Sequence, residues 1–129
     1  MSWSIDKNTM AVTMHKGDTG AYWVQLEKPA GDFAEGDVAI YEVWQGSERL
    51  IHREFELQPD TPTDICPGDG KFLIAFVNSD TDTWSAGAYN TEIRVALNPI
   101  RADGKVVDGD TVRTIIKSTI TIQDVLIDI

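Results

Sequence analysis

The chain has 129 residues, 42% of them apolar and 25% charged, and a formal net charge of −10. That length fits one domain, residues 1–129, able to bury a core without disulfide or metal staples. The acidic balance, with no Lys/Arg cluster, excludes binders of a nucleic-acid phosphate backbone and disfavours an anionic membrane surface.

Residues 1–6, Met1-Ser2-Trp3-Ser4-Ile5-Asp6, lack the basic-then-apolar order of a secretory leader. No apolar run approaches bilayer-spanning length, so membrane insertion is not expected. Residues 9–15 alternate, with Met10, Val12 and Met14 on one face and Thr13 and His15 on the other, as in a half-buried strand. A charged corner follows at 16–20. There Gly17 and Gly20 can take positive φ without steric cost, and Asp18 can bond its own backbone two residues on. The corner is expected to break the first strand so that both halves face the core. After it, Tyr22, Val24 and Leu26 share a face opposite Trp23 and Gln25.

Breakers at 28–32 and 35–37 precede a stretch, 38–44, that is apolar on both faces and reads as a central strand. Gln45-Gly46-Ser47-Glu48 makes a hairpin connection. Residues 50–57 read as a strand with Ile51, Arg53 and Phe55 on one side; a helix over 47–57 is the alternative. The Pro/Gly-rich segment 58–70 is a long surface loop holding Cys66, the only cysteine, so no intramolecular disulfide can form. Phe72, Ile74 and Phe76 alternate as a strand. Residues 78–86 suggest a turn of helix with Trp84 pinned inward. Residues 89–97 are the cleanest strand, with Tyr89, Thr91, Ile93, Val95 and Leu97 on one face. Asp103-Gly104 and Asp108-Gly109 place a small ribbon in the 98–110 connection. A last long strand spans 112–122, and 124–129 either extends it or docks on a neighbouring subunit. About seven short strands at even spacing, with no convincing helix, predict an all-β antiparallel immunoglobulin-like β-sandwich without a disulfide.

Gly87-Ala88-Tyr89 falls where the chain must cross between sheets. In immunoglobulin-type sandwiches a tyrosine there packs its ring inward and caps upstream backbone with its hydroxyl. Tyr89 reads either as that corner or as a simple core aromatic.

Three segments combine: Lys16-Gly17-Asp18-Thr19 with Val24 and Leu26 beyond it; Gly36-Asp37-Val38-Ala39-Ile40-Tyr41-Glu42-Val43; and Trp84-x-x-Gly87-x-Tyr89-x-x-Glu92-Ile93-x-Val95. Over about residues 9–122 the chain resembles the N-terminal Ig-like domain of phage baseplate upper proteins and related prophage tail-associated proteins. The resemblance implies a non-enzymatic structural or adaptor module of a phage or prophage tail, acting through protein–protein interfaces. It implies other tail or baseplate proteins, or further copies of the chain, as partners. It also implies synthesis in the bacterial cytoplasm and assembly into a tail-like particle. Such proteins commonly continue into a longer C-terminal region, whereas this sequence ends at Ile129; that departure favours an adaptor over a receptor-binding role.

Other chemistries find less in the sequence. Cys66 has only His15 and His52 as bases and no nucleophile signature around it. Acidic residues gather in three loops (Asp60, Asp64 and Asp69; Asp80 and Asp82; Asp103, Asp108 and Asp110); converging at a sandwich end they could hold Ca²⁺, but none matches an EF-hand pattern, and they read first as solvated turns. No phosphate-binding loop or nucleophile elbow occurs. No cofactor or metal is therefore expected. The aromatics leave a second reading, a carbohydrate-binding module built on an exposed Trp23, with Trp44 and Trp84 in the core. Trp23 reads equally as edge packing. Val125, Leu126, Ile127 and Ile129 are too apolar for a free tail and are the other expected interface.

Overall fold

A computed structural model describes residues 4–5, 11–26, 33–103, 105–108 and 111–123. Its strands are β1 (Ser4–Ile5), β2 (Val12–His15), β3 (Gly20–Gln25), β4 (Val38–Gln45), β5 (Glu48–Glu56), β6 (Lys71–Phe76), β7 (Gly87–Leu97), β8 (Ile100–Ala102), β9 (Lys105–Asp108) and β10 (Thr111–Gln123). One short helix, α1 (Asn78–Thr81), lies between β6 and β7. It occupies the stretch whose polar pattern suggests a helical turn. Among the described residues no helix is long and apolar enough to cross a membrane.

Strands β1-β2-β10-β7-β4-β5 form one sheet, β3-β6 a second, and β8-β9 a separate ribbon. The two larger sheets make an all-β sandwich. Phe72, Ile74 and Phe76 of β6 and Val24 of β3 share one core with Met14, Tyr41, Val43, Ile93 and Ile120 of the large sheet. Two ring contacts tie the layers: Phe55 stacks on Phe72 at 4.9 Å, and Tyr41 meets Phe76 edge-on at 6.3 Å. β5 is a strand, as its brevity and the following proline favour, and its turn puts Gly46 at φ 60°, where a two-residue type II′ hairpin requires glycine.

Three expectations need correction. The sandwich is not wholly antiparallel: β2 runs parallel to β10, pairing Val12 with Ile120 and Met14 with Ile122. The corner at 16–20 ends β2 on one sheet and sends β3 to the other. The corner also needs one left-handed glycine rather than two. Gly17 has φ 78°, whereas Gly20 is the first residue of β3 and pairs with Phe76. Finally, Trp44 is not in the core. Ala39, Tyr41 and Val43 of β4 point inward, so Val38, Ile40, Glu42 and Trp44 point outward. Val38 and Ile40 are buried with Ala96, and Val106 of the ribbon packs on them; Trp44 lies in the half-buried part of the same row.

Candidate functional site

The outer face of the large sheet is graded along β4. Its first half is apolar and roofed at Val106; its middle is charged; its last outward residue is Trp44. Strand register sets the neighbours. Glu42 lies across from His52 on β5 and Glu92 on β7; Trp44 lies across from Asn90, and Glu92 from Lys117.

Glu42 is 1% exposed, yet two arginines and a histidine surround it. Its carboxylate accepts from Arg49 at 2.9 Å and Arg94 at 2.7 Å, and lies 3.0 Å from His52 Nδ1. His52 Nε2 lies 3.1 Å from Glu54, whose carboxylate also accepts from Arg101 at 2.7 Å and from the Val106 N–H at 3.1 Å. The imidazole therefore sits between two carboxylates, and Glu54 clamps the β8-β9 ribbon to the face. Burial alone would raise the Glu42 carboxyl; hydrogen bonds from His52 and Arg49 and the Arg94 charge outweigh it and hold the group below its ordinary value. For Glu54 burial is likewise outweighed, by the Val106 N–H, His52 and Arg101.

Both carboxyls titrate lower in the folded chain than in the unfolded one, where a glutamate titrates near about 4.3. Their stabilisation is thus complete above that value and is lost as pH falls through the folded values. Thermal melts taken from neutral pH downward should show stability dropping below about pH 4.5, and Glu54→Gln should shallow that drop. An unchanged acid limb in the variant would rule the clamp out.

Beyond the charged cluster, Trp44, Gly46, Asn90, Thr91, Glu92, Lys117 and Ser118 line an open cavity of about 450 Å³. A second depression, about 300 Å³ and mostly apolar, lies between β5 and β6. Ile65 and Val77, 49% and 56% exposed, stand on it beside Phe55, Leu73 and Ala75. Among the described residues β6 has no strand partner on its second side. Instead Leu73 N–H donates to Ile65 O at 2.9 Å, and the Arg53 guanidinium donates to Ala75 O while its other nitrogen pairs with Asp80 at 2.9 Å.

The corner residues meet at one end of the sandwich. Gly17 N–H donates to Thr81 Oγ1 at 2.9 Å, and Asn78 Nδ2 donates to Gly17 O at 2.9 Å, so α1 grips the corner from both sides. Asp18 bonds backward: its carboxylate accepts from His15 N–H at 3.0 Å, and its own N–H donates to His15 O at 3.1 Å. Tyr89 is buried, its ring 4.8 Å from Trp84, and its hydroxyl donates to Ser85 O at 2.6 Å. It thus packs inward and caps backbone four residues upstream. Gly87, φ 142°, opens β7 two residues before it. Tyr89→Phe keeps the ring and removes the cap, which should lower unfolding free energy by about 1 kcal/mol in denaturant titration. A loss below about 0.3 kcal/mol would leave Tyr89 as core aromatic only.

The remaining candidates are scattered. Trp23 is 47% exposed on β3, and the Lys71 ammonium lies 4.9 Å from its ring centroid, occupying one ring face. Cys66 is buried in the 58–70 loop, where burial pushes its thiol up. Among the described residues no group of three or more His, Cys, Asp or Glu side chains could hold a metal ion. Val125, Leu126, Ile127 and Ile129 lie outside the described residues.

The sequence pattern did not disclose Glu42, His52, Glu54 and Arg94 as one cluster, since they come from three strands and up to 52 residues apart. The signal available was an acidic residue inside the otherwise apolar 38–44 stretch, which requires a buried counter-charge. Compared with known proteins, the sequence matches no family model, and no curated protein matches it.

Proposed function

We propose that the chain is a non-enzymatic adaptor module of a phage or prophage tail, at the baseplate, working through protein–protein interfaces. The reading starts from the Gly-Asp-Thr corner, the 36–43 segment and the Gly-x-Tyr strand, and from the domain family they resemble. The observation that supports an interface role is the depression between β5 and β6. There Ile65 and Val77 leave apolar side chains in solvent next to a strand edge that side chains and a loop only partly cover. An apolar patch beside a strand edge is the kind of surface a partner protein covers. The partners are other tail or baseplate proteins, and a symmetric homo-oligomer fits the same surface. In this reading the protein is made in the bacterial cytoplasm and built into a tail-like particle.

Co-expression with the products of flanking tail genes, followed by size exclusion with light scattering, tests it. A stable complex is expected, and Ile65→Asp or Val77→Asp should dissociate it while moving the isolated chain's stability by no more than about 0.5 kcal/mol. A chain that forms no complex with any flanking product, or a complex indifferent to both changes, refutes the reading.

A further inference from the structure

The Trp44 cavity lies on a different face from the β5/β6 depression and is independent of the tail reading. Its walls come from the end of β4 (Trp44), the first half of β7 (Asn90, Glu92) and the middle of β10 (Lys117, Ser118), with Gly46 at the turn. Register places Trp44 beside Asn90 in one row and Glu92 beside Lys117 in another. Neighbouring strands lie about 4.8 Å apart, so one aromatic plate, one amide, one carboxylate and one ammonium share a patch about two strand spacings wide.

A local irregularity accompanies the half-buried indole. The pairing of β4 with β5 shifts between Val43 and Trp44, so that Val43 faces Ile51 and Trp44 faces Arg49, with Leu50 as the extra residue. Leu50 and Ile51 both pack against the core, and Arg49, the cross-strand neighbour of Trp44, is drawn to Glu42 at 2.9 Å. Bulges re-aim side chains in this way and recur next to binding sites. Trp23 differs, because it carries a lysine ammonium over its ring; among the described residues no cation sits over Trp44.

We infer that this cavity binds a neutral pyranose ring, stacked by its C–H face on the Trp44 indole. The chemistry of the walls selects that class. A pyranose has an apolar face and a rim of hydroxyls that both donate and accept. Trp44 supplies the plate. Asn90 donates and accepts, Glu92 accepts, and Lys117 donates. Glu92 and Lys117 lie 3.9 Å apart and balance in charge, so the site offers no net charge to an ionic ligand. A volume of about 450 Å³ lies within the range of small-molecule sites and leaves room for more than one ring. Gly46, whose missing side chain would have faced open space, keeps one rim low enough for a longer saccharide to leave the cavity.

The test uses the full chain and ligand-observed saturation-transfer NMR with neutral oligosaccharides of glucose, galactose, mannose and N-acetylglucosamine. Sialylated and sulfated glycans serve as charged comparators. At least one neutral sugar should give a saturable signal. Trp44→Ala and the exposed Asn90→Ala should each weaken it by about tenfold or more, and Glu92→Gln by about threefold or more. Trp23→Ala should leave it unchanged. Melting curves identify any variant that fails to fold, and Asn90→Ala, on the open surface, carries the test if Trp44→Ala does not fold. Silence from every neutral sugar, a signal that survives Trp44→Ala and Asn90→Ala in folded protein, or binding confined to charged glycans overturns the inference. Loss of tail assembly by Ile65→Asp has no bearing on these readouts, so the two proposals fail separately.

Discussion

Gly70→Ala is expected to be the most damaging single-atom-scale change in this chain, costing about 4 kcal/mol or more. Gly70 is buried at the end of the 58–70 loop, with φ 76°. Its N–H donates to Leu57 O at 2.9 Å and its carbonyl accepts from Leu26 N–H at 2.9 Å, so it stitches the ends of β3 and β5 together. A Cβ there would collide with the Leu26 carbonyl oxygen and stand 2.9 Å from the Phe33 ring. Backbone cannot step aside as a side-chain tip can. Left-handed strain adds about 1–2 kcal/mol to the collision. For a domain holding about 5–15 kcal/mol in all, such a loss should lower the melting temperature by roughly 15 °C or prevent folding. Gly36→Ala is the control: its φ is 97°, but nothing lies within 4 Å of the added carbon, so conformational strain acts alone. If Gly70→Ala and Gly36→Ala melt together, the close approach of Leu26 is not what makes position 70 glycine.

Glu42→Ala is the second large effect, about 3 kcal/mol in chemical denaturation. The change leaves Arg94 and His52 without the carboxylate they share, and those side chains are only 30% and 16% exposed. The guanidiniums of Arg49 and Arg94 then face one another around an empty centre. The cost stays at the lower end for a broken buried ion pair, because polar groups rather than hydrocarbon roof the carboxylate. Arg49→Ala offers the contrast. Its side chain is 40% exposed, so removing it should cost less than about 1 kcal/mol. A double-mutant cycle between Glu42 and Arg94 should give a coupling of about 1–3 kcal/mol. Equal losses for Glu42→Ala and Arg49→Ala, with no coupling, would show the cluster to be decoration on the sheet.

These two positions also mark where sequence reasoning stops. The period-two pattern of Phe72, Ile74 and Phe76, and of Tyr89 through Leu97, finds its strands, because burial on one face writes directly into alternate residues. The Gly-x-Tyr pair finds the crossover for a similar reason, since a fixed local geometry demands fixed residues. Gly70 and Gly68 look alike in the sequence, and both have positive φ. The approach of Leu26, 44 positions away in the numbering, and of the Phe33 ring separates them. The same holds for Glu42, whose partners arrive from β5 and β7, and for Trp44, which sits on an apolar-looking strand just beyond the part that the ribbon covers. The parallel pairing of β2 with β10 has no local signature at all, because strand direction belongs to the path of the whole chain.

That pairing has a mechanical consequence. β2 lies near the beginning of the described chain and β10 at its end, side by side and pointing the same way over Val12–Ile120 to His15–Gln123. A pull on the chain before β2 and after β10 therefore slides the strands past each other. The backbone bonds between them, with the added Lys16 N–H to Gln123 O bond at 2.9 Å, are loaded together rather than peeled one at a time. Tension along this route has to break the whole ladder at once before the sandwich can open.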